Sequence, residues 1–340
     1  MKEIAKGTAL VTGGAGFVGS HLAEELLTMG YSVIILDDLS TGFERNIPAG
    51  AKFVRGSITD VEMLERLFHE HKIDYVFHLA AYAAQGLSHF IRRNNYEVNL
   101  VGAVNVINMA VQHNVKHFVF TSSVAVYGTN RTPMTEELPP MPEDPYGVAK
   151  LSVEFDLIAA HKMFGLKYTI FRPHNIYGER QHHGDTYRNV LGIFVNQIMT
   201  NKPMCIFGDG SQSRAFTYVK DVAPYLARAI ETPAAANQII NIGAEKPYTV
   251  LELAHATAKE MGVKAIIDFQ PGRNEVKHAF CDHEKAKRIF GITGETDVEY
   301  GLKKMVEWGK KIGPMEPTRF EKVEVTRNMP PSWAKLLKTK

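Results

Sequence analysis

Cysteine is scarce in this sequence, with Cys205 and Cys281 the only two in 340 residues. They stand far apart, with no further Cys or His at metal-ligand spacing. That excludes a disulfide framework and a zinc module, and leaves free thiols in a reducing compartment. His182 and His183 adjoin, but neighbours on an extended chain point to opposite faces, so no metal is expected there. No run approaches the roughly 18 apolar residues of a membrane span. No apolar leader with a cleavage site precedes the first strand near Ala9, and a soluble cytoplasmic protein is the expectation. A charge excess is missing too: 39 Lys and Arg against 37 Asp and Glu leave +2, so neither nucleic acid nor an anionic membrane is expected as a partner. The Lys-rich C-terminal stretch (Lys303, Lys304, Lys310, Lys311, Lys322, Lys335, Lys338, Lys340) reads as solvated surface. Repeats and low-complexity segments are absent.

What remains is ordinary globular composition, 45% hydrophobic and 22% charged, in a chain too long for one minimal domain. Strands are predicted at Thr8–Thr12, Ser32–Leu36, Lys52–Arg55, Tyr75–Leu79, His117–Thr121 and Lys167–Arg172. Between them, apolar spacing predicts helices at about 19–29, 61–72, 97–113 and 146–163. Strict alternation of this kind makes an α/β fold, a parallel sheet with helices on both faces. Val33, Ile34, Ile35 and Leu36 form the continuous apolar run of a strand buried on both sides. Beyond Pro173 the pattern breaks. A helix at 190–199 and a strand Met204–Phe207 follow, and 219–243 return to the first domain through a strand Gln238–Ile242. The expected organisation is a first domain of 1–173 plus 219–244, a smaller lobe of 174–218 plus 245–312, and a Pro-punctuated tail, 313–340, draped over a surface.

Thr12-Gly13-Gly14-Ala15-Gly16-Phe17-Val18-Gly19 falls between the first strand and the first helix. It satisfies both Gly-x-Gly-x-x-Gly and Gly-x-x-Gly-x-x-Gly. Such a turn has no room for a Cβ and presents backbone N–H groups, at the positive end of a helix, to a diphosphate. Asp37 and Asp38 close the second strand about 20 residues on, where the dinucleotide fingerprint carries an acid. A carboxylate there accepts hydrogen bonds from a ribose and repels a 2′-phosphate, so NAD is favoured over NADP.

Tyr146 and Lys150 stand at i and i+4 on one face of a predicted helix. The ammonium and a nicotinamide cation nearby would both favour phenolate, lowering the tyrosine pKa from about 10 toward neutrality, as a general base needs. Pro142 and Pro145 deliver the tyrosine to the helix start. Thr121-Ser122-Ser123 closes a predicted strand, the end at which parallel sheets bind ligands. Ser123 is then placed to hydrogen-bond the tyrosine hydroxyl and a substrate hydroxyl. Tyr300 and Lys304 repeat the spacing without a glycine turn or serine to serve them, and read as a surface pair.

With TGGAGFVGSH, VIILDDLSTG, FHLAAYAA, TSSVAVYG, YGVAK, FRPHNIYGER, IFGDGSQSRAFTYVKDV and PGRNEVKHAFCDHEKAKR in order, from about residue 8 to 310, the chain resembles the extended short-chain dehydrogenase/reductase family, nucleotide-sugar epimerase branch. The resemblance implies a Rossmann-type doubly wound parallel sheet with a smaller α/β substrate-binding lobe. It implies that Gly13, Gly16, Phe17 and Val18 hold the NAD pyrophosphate and Asp37 the ribose. Ile58 borders the adenine, and Leu79, Ala80 and Ala81 line the cofactor groove. Asn99 packs under the active site and Ser122 lies beside the nicotinamide. Asp38, Ser40, Gly42 and Pro173 complete the implied cofactor set. Ser123, Tyr146 and Lys150 carry the chemistry. Asn175, Asn189, Phe207, Arg214 and Arg273 hold the nucleotide diphosphate and sugar. Guanidinium forks match phosphate oxygens, which suits two arginines on one diphosphate. The chain departs from the family in two places. Ser57 replaces the usual Asp of a Gly-Asp-Ile turn, and His174 replaces an aromatic next to the nicotinamide.

Related 4,6-dehydratases carry an Asp-Glu pair just after the catalytic Ser or Thr, and related decarboxylases a Glu. Here Val124 and Ala125 follow, and an alkyl group does no proton chemistry. The resemblance therefore implies simple hydride return to a 4-keto sugar: 4-epimerisation of a nucleotide-hexose, UDP-glucose and UDP-galactose foremost. Small Ala279, at a position that gates room beside C2 of the sugar in the family, implies that N-acetylhexosamines also fit. A UDP-glucuronate epimerase, a dehydratase or reductase on the same scaffold, and a non-catalytic NAD-binding sensor stay open as alternatives. Family members pair as homodimers through two helices per subunit, here 97–113 and 147–163.

Overall fold

The apolar runs of the first half become neighbouring strands. The protein is described by a computed structural model over residues 5–272 and 276–338. Strands β1 (Thr8–Thr12), β2 (Ser32–Asp37), β3 (Lys52–Arg55), β4 (Tyr75–His78), β5 (His117–Thr121) and β6 (Tyr168–Pro173) alternate with helices α1 (Phe17–Thr28), α2 (Val61–Glu70), α3 (Gln85–Ser88), α4 (Arg92–Tyr96), α5 (Gly102–Gln112) and α6 (Pro145–Phe164). The lobe holds β7 (Ile176–Tyr177), α7 (Val190–Met199), β8 (Met204–Phe207), β9 (Ser213–Ala215) and β10 (Thr217–Tyr218). The chain then returns through α8 (Ala223–Arg228) and β11 (Gln238–Ile242) to the main sheet. β12 (Pro247–Thr249), α9 (Val250–Met261), β13 (Ile267–Gln270), β14 (His278–Ala279), α10 (Glu284–Phe290) and α11 (Val298–Ile312) follow, and the tail ends in α12 (Pro331–Lys338).

Among the described residues, seven parallel strands run in the order β11-β6-β5-β4-β1-β2-β3. The chain reverses direction across the sheet at β1 and β4, where Val11 stands beside Phe77. A crevice opens there at the carboxyl ends of the strands. Alternate residues of each strand fill opposite cores. Leu10, Ile34, Val76, Phe118 and Ile170 pack under α2, α5 and α6 through Leu64, Val106, Val153 and Leu157. Val11, Ile35, Phe77, Val119 and Phe171 pack against α1, α8 and α10 through Leu22, Leu26, Leu226 and Phe290. Burial on both faces is why these strands read as unbroken apolar runs.

Local signals set the helix that matters most. Asp144 caps α6 by accepting from Gly147 N at 2.8 Å, Pro145 occupies its first turn, and Gly165 ends it at φ 74°. The helix expected at 97–113 is different. It begins earlier, as α4, and passes through a π-helical turn, Glu97–Val101, into α5, with Gly102 N bonded to Glu97 O. The extra residue rotates Asn99 inward, an insertion that side-chain spacing alone does not reveal. The tail closes in a helix, α12, whose Trp333 is buried against the cavity wall.

Candidate active site

A cavity of about 1140 Å³ opens along the carboxyl ends of the strands, walled by the glycine turn, the start of α6, the lobe and the tail. Gly13 has φ 71°, and a Cβ on it would lie 2.7 Å from Ala80 N. A Cβ on Gly16 would lie 3.1 Å from Gly13 O, and one on Gly19 would run into the same oxygen. The turn is thus a cradle that side chains would fill. Its helix, α1, starts on Gly16 without a capping side chain, so its first N–H groups face the cavity. A dinucleotide diphosphate fits this arrangement.

Gly13, Gly16, Phe17, Val18, Asp37, Asp38, Ser40, Ile58, Leu79, Ala80, Ala81, Ser122 and Pro173 all line the cavity. Asp37 also stabilises the turn, accepting from Ala15 N at 3.0 Å and Leu39 N at 2.8 Å. Burial raises its pKa, and these two hydrogen bonds oppose the rise. Two expected cofactor contacts do not reach the wall. A Cβ on Gly42 would press on Ala15 and on Asp37 Oδ1 at 3.0 Å, so Gly42 packs behind the turn. Asn99 is buried in the π turn, where Oδ1 accepts from Tyr82 N at 2.8 Å and Nδ2 donates to Asn95 Oδ1 at 2.8 Å. It braces the segment after β4 rather than facing the cavity. Ser57 reaches the wall, its hydroxyl paired with that of Thr59 at 2.9 Å. His174 turns away from the expected nicotinamide side. Its Nδ1 donates to Ala215 O at 3.1 Å, its Nε2 meets His283 Nε2 at 2.9 Å, and burial holds its pKa down near 4. Among the described residues, no three His, Cys, Asp or Glu side chains group as a metal site.

Ser123, Tyr146 and Lys150 converge where β5 ends and α6 begins. Ser123 caps a short 3-10 turn, accepting from Ala125 N at 3.1 Å, and hydrogen-bonds Tyr146. The backbone under the tyrosine is held by Asn95 Nδ2 on Pro145 O at 2.8 Å and by Ser88 Oγ, which accepts from Tyr146 N at 3.3 Å. Lys150 Nζ donates to Thr121 O at 2.8 Å and lies 5.8 Å from the Tyr146 ring centre. Burial draws the Lys150 pKa down to about 7, opposed by Glu154. The expected acidic tyrosine is not a property of the chain alone. Burial pushes Tyr146 up to about 12, outweighing the downward pull of Ser123 and Arg188. Desolvating a phenolate costs more than those two neighbours return. Ser122 turns its hydroxyl back to Glu154 Oε1 at 2.5 Å, and Glu154 pairs with Arg172 through both carboxylate oxygens.

Asn175, Asn189, Phe207 and Arg214 line the substrate half. Asn175 adopts φ 35° and donates to Ala215 O at 3.1 Å; Asn189 donates to Ile176 O at 2.5 Å and caps α7 at Leu191 N. Arg214 donates to the carbonyls of Ser213, Lys277 and Val276. Arg273 lies outside the described residues. Sequence reasoning missed Arg188, whose Nε donates to Asp185 Oδ2 at 2.6 Å while its guanidinium sits 5.5 Å from the Tyr82 ring centre. The Asp-x-x-Arg spacing just before Asn189 was the available signal. It also missed the cavity-lining tail residues. Val124 and Ala125 bring no acid to the wall. Asp144 is held by Gly147 N and by Gln85 at 2.6 Å, and Asp185 by Tyr187 N and Arg188.

A parallel sheet in Rossmann order, with a tyrosine and a lysine one helical turn apart beside a dinucleotide cradle, marks the NAD-dependent short-chain dehydrogenase/reductase class. Residues 9–243 match the model of the NAD dependent epimerase/dehydratase family, and the chain belongs to that family, with NAD as its cofactor. It is 37% identical over 308 residues to a putative UDP-glucose 4-epimerase of Methanocaldococcus jannaschii, covering 88% of this chain and 98% of the relative. The structure of a UDP-glucose 4-epimerase with UDP-glucose from Thermotoga maritima superposes with a TM-score of 0.85 at 36% identity, covering 90% of this chain and 99% of the other. The Thermus thermophilus UDP-glucose 4-epimerase complex with NAD gives a TM-score of 0.84 at 32% identity, covering 88% and 98%. More distant relatives include proteins named UDP-glucuronate 4-epimerase and UDP-N-acetyl-alpha-D-glucosaminuronate decarboxylase.

Proposed function

We propose that this protein is a 4-epimerase of UDP-hexoses, interconverting UDP-glucose and UDP-galactose. The observation that carries this reading is the wall beside Ser123. Val124 and Ala125 supply no acid directly after the serine, Asp144 and Asp185 are already engaged, and Glu143 accepts from Thr129 N at 3.2 Å, so the acids that serve elimination and decarboxylation in related enzymes have no counterpart beside Ser123. Return of hydride to the carbon it left needs only the proton that Tyr146 took from the 4′-hydroxyl.

Bound NAD supplies the nicotinamide that takes up a hydride from C4′ and gives it back. Tyr146 Oη removes the 4′-hydroxyl proton as C4′ becomes a ketone, and restores it when the ketone is reduced. Ser123 holds the 4′ oxygen in line. Lys150, fixed by Thr121 O, steadies the phenolate charge. Arg214, with Arg273, keeps the diphosphate still while the keto sugar turns its other face.

Ala279 lines the cavity as a small residue, which supports acceptance of N-acetylhexosamines. Arg188 favours a second reading. Its buried NH2 has no hydrogen-bond partner, and a cation beside the sugar suits the carboxylate of UDP-glucuronate. Purified protein should convert UDP-glucose to UDP-galactose by NMR, and a panel of UDP-, dTDP- and GDP-sugars, including uronate and N-acetyl forms, sets the range. An irreversible product or net NADH release overturns epimerisation.

The working unit is a homodimer in the cytoplasm. Val101, Val148 and Phe155 are 51%, 36% and 59% exposed on the helices expected to pair, an apolar strip that a second copy would cover. Sedimentation should find a dimer that Phe155→Lys splits.

A further inference from the structure

The tail after α11 joins both halves of the molecule. On the lobe side, Met315 N donates to Asn196 Oδ1 at 2.9 Å and Thr318 N to Gly184 O at 2.8 Å. Gly184 has no room for a side chain there, since a Cβ would lie 2.8 Å from Glu316 O. The tail then crosses to the first domain. The Glu324 carboxylate accepts from Arg93 N at 2.8 Å and Asn94 N at 3.1 Å, and Glu324 N donates to Phe90 O at 2.8 Å. Finally α12 turns back over the cavity. Trp333 is 5% exposed and sets its ring edge-on to Tyr187 at 5.2 Å and to Phe207 at 6.1 Å.

We infer that residues 313–338 are a strap built into the nucleotide-sugar site, walling its nucleoside-diphosphate end and setting substrate affinity. The inference rests on the proposed function. Three kinds of observation carry it. First, Arg319, Ser332, Trp333 and Lys335 line the same cavity as Phe207 and Arg214. Second, the Ser332 hydroxyl is buried without a hydrogen-bond partner, as is the hydroxyl of Tyr82, whose ring lies 5.2 Å from that of Phe320. Buried polar atoms left unmatched in a cavity wall await a polar ligand. Third, the chemistry is complementary: indole and phenyl rings face a flat base, and Arg319 and Lys335 add positive charge for a diphosphate. Trp333 covers Phe207, so a base seated on Phe207 meets the strap, and docking of the strap and binding of the nucleotide are coupled.

Two substitutions separate this from a purely structural tail. Glu324→Ala releases the strap from α4 at a side chain that is not itself part of the cavity wall. Trp333→Ala removes the aromatic face. Both should raise the KM for UDP-glucose roughly tenfold, and bound NAD should stay at the wild-type level. For Glu324→Ala, kcat should stay within about twofold of wild type. Trypsin cleavage at Arg319, Lys322 and Arg327 should slow when UDP is added to the wild-type holoenzyme. An unchanged KM in both variants, a raised KM accompanied by loss of bound NAD, or cleavage indifferent to UDP would overturn the strap. Should the wild type epimerise no sugar offered, the functional reading fails, while the UDP protection result still decides the strap.

Discussion

Lys150 donates to the carbonyl oxygen of Thr121 at 2.8 Å, tying the second turn of α6 to the last residue of β5. The bond joins the helix that carries Tyr146 to the strand that leads to Ser123, beside the holds of Asn95 on Pro145 O and of Ser88 on Tyr146 N. It also holds a lysine in a site where burial draws its pKa down to about 7.

Lys150→Met is therefore expected to stabilise the fold while removing activity. The folded pKa lies below the unfolded one, so the buried charge costs stability in full below about pH 7. That cost fades as pH rises toward 10.5, where the group is neutral in both states. Thermal melts should show the variant above wild type at pH 6, with the gap closing by pH 10. A gap that widened with pH would contradict the burial of the ammonium.

Tyr146→Phe keeps the ring that packs at the start of α6 and removes the hydroxyl that the proposed function makes the proton acceptor. Epimerisation should fall by about 10²–10⁴, with UDP affinity changed by less than about twofold, as calorimetry and NMR rates can show together. Near-normal turnover would exclude the scheme.

Glu154 and Arg172 form a buried pair, 1% and 3% exposed in their side chains, which also anchors Ser122. Glu154→Gln leaves a buried guanidinium without its counter-charge and should cost about 3–5 kcal/mol in urea unfolding. Combining it with Arg172→Met should recover part of that loss, because the guanidinium no longer stands unpaired, although Lys150 still lacks the carboxylate that opposed its loss of a proton.

Asp37 holds the turn and is the carboxylate expected to meet the ribose, so its replacement tests both roles. Asp37→Ala orphans the N–H groups of Ala15 and Leu39 and should cost about 1–3 kcal/mol of stability. Titration should show weaker NAD binding with little gain for NADP, because the cradle itself is loosened.

The strand runs, the glycine turn and the Tyr146–Lys150 pair were legible in sequence because each is local. A buried parallel strand must be apolar, a cradle must lack Cβ atoms, and i and i+4 share a helix face wherever the helix lies. Asn99, expected among the cofactor contacts, instead braces the segment after β4. Its orientation depends on one extra residue in a helical turn, and that residue leaves the apolar pattern intact. Arg188 sits in an irregular loop where no periodicity marks an inward side chain.

The sequence by itself determined the sheet, the glycine turn and the placing of Tyr146 and Lys150 on one helix face, since these follow from short-range sterics and spacing. Only the tertiary structure decided that burial would dominate the ionisation of Tyr146 and Lys150, that Glu154 and Arg172 would share one dry site, and that a distant tail would wall the cavity. Each of those depends on how much water is excluded by segments far apart in the chain, and solvent exclusion is a property of the packed whole.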